Sequence, residues 1–359
     1  MNTHSDILVC GTGSFAARIV FDIAATAAAP VHVVIAGRNR ERLDWLVLAA
    51  NARASIFATP ARFSGVATDL ASPDGPAALL EATRPAIVVQ AASAQTSSVI
   101  ATQGDRWSAL VAKGGLSATA VFQTRITTRV AQAIASVSPA TALVNCCFPD
   151  VVNGLIKAGG HAVLAGMGNV AILAHALAGS EQPRPPLKIL AHYQNLAAWR
   201  QPKQTRTAPP PRVWIDGREI ADVYGRFADA KLTPEPVIDI SGASGVPLVL
   251  AYAANTAWRG HLPGPDGLPG GYPVRLEDRV LSLDLPAGLE RSEAIAWNDR
   301  FEARNGLTVT PDGEIRYTGQ LLEELRAQSP ELAAGFHISD LETVFEAMLA
   351  LRVRLQGTN

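Results

Sequence analysis

Near the start of the chain, Ile7-Leu8-Val9-Cys10-Gly11-Thr12-Gly13-Ser14-Phe15-Ala16 limits the possible folds more than any other segment. An apolar, strand-like run leads into Gly-x-Gly-x-x-Ala. An Ala-rich stretch, Phe15 to Ala29, follows, with Ile19, Val20 and Ile23 spaced for one helical face. A strand that turns so sharply into a helix needs Gly11 for the turn. It needs Gly13 where a ligand meets the backbone, and Ala16 where helix and strand pack closely. Free N–H groups at a helix start favour negative charge, so Gly11, Thr12, Gly13, Ser14 and Phe15 form a candidate pyrophosphate cradle. The alternative is an ordinary tight strand–helix turn.

The pattern then repeats. Val31 to Ala36, Val66 to Asp69, Ile87 to Ala91 and Ala142 to Cys146 read as strands, separated by helical stretches. Such alternation predicts an α/β fold: a doubly wound parallel Rossmann sheet covered on both faces. Past about residue 160 the rhythm becomes α+β. Asp216-Gly217 and Pro311-Asp312-Gly313 read as hairpin turns, and His261 to Pro273 as a Gly/Pro-rich loop. Val246 to Trp258 reads as a buried helix and Leu341 to Leu355 as an amphipathic one. The expected domains are 1–160 for the dinucleotide and 161–359 for substrate and oligomerisation.

The end of the second strand separates two dinucleotides. A receptor for NAD carries an acid there, about 20 residues beyond the glycines, for the ribose hydroxyls. Here the chain reads Ile35-Ala36-Gly37-Arg38-Asn39-Arg40, with no acid at the tip. Arg38 suits a 2′-phosphate, Asn39 adds a donor and Arg40 a second charge, so NADP is expected over NAD. The other reading of these arginines is a solvated helix start. At the end of the fourth strand the small residues Ala91, Ala92 and Ser93 leave room for a nicotinamide ribose. Asn145, closing the fifth strand, can bond the carboxamide or merely satisfy the turn.

Composition excludes several classes. With 31 Lys plus Arg against 32 Asp plus Glu in 359 residues, the net charge of -1 gives no electrostatic case for nucleic acid. No apolar run reaches the ~20 residues of a membrane span, and no signal-peptide pattern opens the chain. Cys10, Cys146 and Cys147 make neither a disulfide framework nor a zinc set, so no metal is expected and a cytoplasmic location is. Ala abundance with only five Lys suggests a high-GC bacterial genome.

The order of these pieces resembles the lactate/malate dehydrogenase superfamily over most of the chain. The likeness runs through Ala91-Ala92-Ser93 to Arg106, Phe148-Pro149-Asp150-Val151, Gly166-Met167-Gly168, and a strand delivering His192 within Ala191-His192-Tyr193-Gln194-Asn195. The first 95 residues or so, notably Ala36 to Leu43, are also similar to the NADP-binding half of saccharopine dehydrogenase-like proteins. The first resemblance implies hydride transfer, with His192 as acid/base at a cleft edge. It also implies a substrate contact from Ser244, on the helix after the glycine-rich approach, and assembly as a homodimer or homotetramer. Arg106 is either a substrate anchor on a closing loop or a solvated helix start, and Asn153 either bonds a substrate oxygen or satisfies turn backbone. Two positions depart from it. Where the superfamily has an Asp that orients the His and an Arg that clamps a substrate carboxylate, this chain has Ile172 and His175. The apolar stretches Val246 to Trp258 and Val344 to Leu355 offer, as the alternative to burial within the chain, exposed surface for assembly.

The expected activity is therefore an NADP-dependent oxidoreductase acting on a small carbonyl/alcohol or imine/amine pair. The rivals are a dinucleotide enzyme of the transient-oxidation type, as in glycosidases or epimerases, and a non-catalytic NADP sensor. Ser93 and Ser244 lack a Gly-x-Ser-x-Gly elbow, which argues against a serine hydrolase.

Overall fold

Each of the first strands in the computed structural model sends alternate side chains to opposite faces of one sheet. Leu8, Val34 and Val88 enter one core; Val9, Val33, Ile35 and Val89 enter the other. Strands buried on both sides must be apolar throughout, which explains their near-continuous Val/Ile/Leu runs. The structure describes residues 5–95, 104–206, 208–230, 232 and 234–357. Between Ser93 and Arg106 a loop is expected, and its residues 96–103 lie outside the described residues.

The first half comprises β1 (Ile7–Cys10), α1 (Ser14–Thr26), β2 (Val31–Gly37), α2 (Arg40–Ile56), β3 (Ala61–Ala67), α3 (Gly75–Thr83), β4 (Ile87–Gln90), α4 (Arg106–Gly114), α5 (Ala120–Val137), β5 (Ala142–Asn145), α6 (Pro149–Ala158) and β6 (Ala165–Gly166). The six strands are parallel in the order β3-β2-β1-β4-β5-β6. The order reverses between β1 and β4, and ligands of such sheets bind beyond the strand ends at that point. The sheet runs past residue 160, since β6 follows it.

The second half adds α7 (Val170–Gly179), β7 (Leu187–Leu190), α8 (Tyr193–Trp199), β8 (Arg212–Ile215), β9 (Arg218–Glu219), α9 (Val223–Arg226), α10 (Pro234–Ser244), α11 (Val246–Ala254), β10 (Trp258–Pro263), β11 (Gly271–Glu277), β12 (Val280–Leu283), α12 (Arg291–Arg304), β13 (Gly306–Val309), β14 (Glu314–Thr318), α13 (Gly319–Gln328), α14 (Pro330–Ala333), β15 (Phe336–His337) and α15 (Leu341–Gly357). It forms three small antiparallel sheets, β7-β8-β9, β10-β11-β12 and β13-β14-β15.

Both faces of the parallel sheet are completed by this half. On one face α15 buries Phe345, Met348, Leu351 and Leu355 in the same core as α5. On the other, Val246, Leu248, Val249 and Tyr252 of α11 join α1 and α2. The stretches expected to be exposed for assembly are therefore core, filled from within the chain. Residues 237–254, across α10 and α11, are long and apolar enough to cross a membrane by composition, with mean hydropathy 1.5. In the structure α10 packs on α1 and α7. The expected helix to Trp258 stops at Ala254, where Asn255 adopts a left-handed cap and Trp258 opens β10.

Candidate functional site: a dinucleotide crevice

The cradle is built by two glycines with different duties. Gly11 has φ 127° and donates its N–H to Ala36 O at 2.8 Å; a Cβ there would lie 3.2 Å from the Ala91 carbonyl carbon. Gly11 thus lets β1 turn between β2 and β4. Gly13 is different. It caps α1 at φ -73°, has no side-chain cap bond, and a Cβ on it would meet nothing within 4 Å. A Cβ would fit the protein there, so the open edge leaves room for a ligand. The first intrahelical bond runs from Ala17 N to Gly13 O. The N–H groups of Ser14, Phe15 and Ala16 precede it, at the positive end of a thirteen-residue helix. Arg42 Nε braces the cradle through Thr12 O at 3.3 Å. These features fit a pyrophosphate.

At the tip of β2, Arg38 is 76% exposed and lies 3.9 Å from Asp69, so its guanidinium is open to an incoming anion. Arg40 is also exposed at the start of α2. Asn39 caps α2, its Oδ1 accepting Arg42 N at 2.9 Å, and the cap leaves the Nδ2 donor of this exposed side chain unused. Ala91, Ala92 and Ser93 lie partly exposed beyond β4, beside Gly11, as a ribose passage requires.

Other residues singled out from the sequence serve the framework. Asn145 is fully buried. Its Nδ2 bonds Cys147 O and Asn153 Oδ1, and its Oδ1 accepts Cys147 N at 2.8 Å. Asn153 continues inward to Gly264 O at 2.9 Å. Both asparagines are fully buried and lock the turn after β5. Ser244 Oγ bonds Ser241 O within α10. Arg106 opens α4 and donates to Gln328 Oε1 of α13 at 3.1 Å. The Cys147 thiol, pushed up to about 12 by burial, is inert. Among the described residues no cluster of three or more His, Cys, Asp or Glu is placed to hold a metal.

His192 is the N-cap of α8 and its side chain is enclosed, not at a cleft edge. Phe301 stacks on the ring at 4.9 Å and Tyr193 tilts against it at 4.5 Å. Tyr193 in turn packs edge-on against Phe148, which holds the left-handed turn into α6. Burial pushes His192 down to about 3, so the ring is neutral.

Two buried acids flank the start of α8, and neither was named as a site residue. Asp150, in the first turn of α6, accepts Tyr193 N at 2.9 Å and the Asn169 side-chain amide. Burial lifts it to about 6. Glu302 of α12 faces His192 Nε2 at 3.5 Å, and burial lifts it to about 7. Asp150 stands in a motif that the sequence displayed. Glu302 lies 108 positions beyond Gln194, with no motif around it.

A six-stranded parallel sheet in this order, with an open glycine turn after its first strand, defines a Rossmann dinucleotide-binding fold. The solved structures it matches make the kind more specific: the fold is that of the malate and lactate dehydrogenases, in divergent form. Malate dehydrogenase from Picrophilus torridus superposes with TM-score 0.57 at 12% identity, over 83% of this chain and 94% of that one. Malate dehydrogenase from Archaeoglobus fulgidus, in complex with NADH, gives 0.52 at 14%, over 82% and 96%. Lactate dehydrogenase from Cryptosporidium parvum, complexed with lactic acid and nicotinamide adenine dinucleotide, gives 0.51 at 14%, over 97% and 99%. The resemblance read from the order of motifs is borne out at the level of fold. No protein-family model matches the sequence, and no curated protein matches it.

Proposed function

We propose that this chain is an NADP-dependent oxidoreductase acting on a small carbonyl/alcohol or imine/amine pair. The observation that carries the reading is the open edge of Gly13 beneath free helix N–H groups, with exposed Arg38 in place of an acid at the tip of β2. Two of the similar structures contain NAD or NADH, which supports a nicotinamide dinucleotide; the choice of its phosphorylated form rests on Arg38. In this reading residues 11–15 hold the pyrophosphate, Arg38 and Arg40 the 2′-phosphate, and Ala91 to Ser93 border the ribose. When bound, the nicotinamide supplies or takes the hydride. His192 is the proposed proton donor and acceptor. Both its nitrogens face protein groups here, so the role requires the start of α8 to adjust when substrate arrives, as catalytic contacts often tighten only in the complex. A cytoplasmic location and assembly into a homodimer or homotetramer belong to the same proposal.

The enclosure of His192 favours one second reading, an NADP-binding sensor without chemistry. NADPH oxidation followed across a panel of aldehydes, ketones, imines and 2-oxo acids separates the two. The enzyme reading expects turnover on a neutral carbonyl or imine. His192→Asn should cut that turnover ~10²–10⁴-fold with cofactor affinity unchanged. Tight NADPH binding with no turnover on any member of the panel supports the sensor.

A further inference from the structure

His192 has a carboxylate partner that its own stretch of sequence lacks. α12 presents two consecutive residues to the ring. Phe301 stacks on its face with 6° between the planes, and Glu302 sets Oε1 3.5 Å from Nε2. On the other side, Nδ1 accepts the Gln194 N–H at 3.3 Å, so Nδ1 carries the lone pair and the neutral ring bears its proton on Nε2. Nε2 is fully buried with no hydrogen bond of ordinary length, and Glu302 Oε1 is the acceptor that faces it.

Glu302 is fixed independently of the ring. Its Oε2 accepts Ser117 Oγ and Leu307 N, each at 2.7 Å, and its Oε1 accepts Gln194 Nε2 at 3.2 Å. Gly306 permits this approach, since a Cβ there would sit 2.0 Å from Oε2. The titratable groups facing the carboxylate are His192 and Tyr193, both from the start of α8; the Ser117, Gln194 and Leu307 groups are neutral.

We propose that Glu302 is a positioning residue for His192, holding the ring against Phe301 in the tautomer protonated at Nε2, with the Nδ1 lone pair kept at the start of α8. A carboxylate beside an imidazole fixes both tautomer and orientation in this way. The catalytic consequence rests on the oxidoreductase reading; the tautomer does not.

The test is a ¹⁵N-histidine spectrum of the full chain near neutral pH. His192 is assigned among the seven histidines as the signal lost in His192→Asn. The wild-type ring is expected in the Nε2–H form. In Glu302→Gln the Gln194 N–H still donates to Nδ1, but Nε2 faces a neutral amide in place of a carboxylate, so the Nε2 signal moves from its parent position. Glu302→Asp, which keeps the carboxylate, brings the signal back toward the parent. Turnover should fall ~10²-fold in Glu302→Gln with NADPH affinity unchanged. A wild-type ring protonated at Nδ1 overturns the proposal whether or not the Glu302 variants fold. An unchanged Nε2 signal in a folded Glu302→Gln also overturns it. Failure to bind NADPH, or to turn over any substrate, removes the oxidoreductase reading and leaves the tautomer result standing.

Discussion

Gly11 and Gly13 sit two positions apart, and replacing each by Ala separates fold from ligand. Gly11→Ala forces a Cβ into a left-handed conformation beside Ala91, and should cost ~1–3 kcal/mol in a denaturant titration. Gly13→Ala meets no protein atom and should stay within ~1 kcal/mol of the parent, the size of an N-cap change. Its NADP affinity should nevertheless fall at least ~10-fold, about 1.4 kcal/mol. A variant that binds as well as the parent would show that the open edge is not where the pyrophosphate lies. A second residue-scale expectation concerns acid. His261 Nε2 accepts Ile189 N at 3.1 Å, and burial pushes the ring down to about 3 from the usual 6.5. The unfolded chain then binds the proton first. His261 therefore contributes stability in full above pH 6.5, and that contribution is lost progressively as pH falls toward 3. His261→Gln should flatten the stability slope across that window by up to ~1.4 kcal/mol per pH unit. An unchanged slope contradicts the neutral, buried ring. Residue types alone are ambiguous about such roles. Asn145 and Asn153 could as well have met a cofactor as each other, and only their packing shows which. Glu302 was illegible because its partners come from Ser117 in the turn after α4, from α8 and from β13, distant segments that no local pattern joins.

Elements were readable where their signals are local. Asp216 and Gly217 both take positive φ, 50° and 77°, which is what a two-residue turn between β8 and β9 demands. The strands of the parallel sheet were readable because burial on two faces leaves little but Val, Ile and Leu. The segment His261 to Pro273 was read as a loop because Gly and Pro punctuate it. In fact β10 and β11 pair across it, from Trp258 opposite Leu276 to Pro263 opposite Gly271, and only the middle is a turn. Pairing between strands offsets poor local propensity. α15 was recognised as an amphipathic helix, but its apolar face was assigned to assembly. Phe345 instead meets Phe122 of α5 edge-on at 5.5 Å, and Met348 is fully buried. Met348→Ala should therefore cost ~2–5 kcal/mol in urea without changing the oligomeric state. A loss of oligomer at unchanged chain stability would return the helix to the assembly role.

For the molecule as a whole, the apolar surface left exposed lies mainly on α2, where Trp45, Leu48 and Ile56 follow one stripe and are 54%, 63% and 75% exposed. A homodimer formed through that stripe should scatter light at twice the chain mass of 37.8 kDa, and Leu48→Asp should return it to one. A parent that already runs as a single chain would end that expectation. The fold was legible at this scale because repeated strand–helix units admit few topologies, whereas the return of the C-terminal half onto both faces of the sheet leaves no trace in sequence order. We propose that the crevice beyond β1 and β2 takes NADP, and calorimetric titration of the full chain with NADP(H) and NAD(H), beside Arg38→Ala, decides it. One charge-assisted contact of ~1.5–3 kcal/mol is enough for NADP(H) to bind at least ~10-fold more tightly, with the difference lost in Arg38→Ala. Equal affinities in the parent, or an alanine variant that keeps the full preference, would contradict the account.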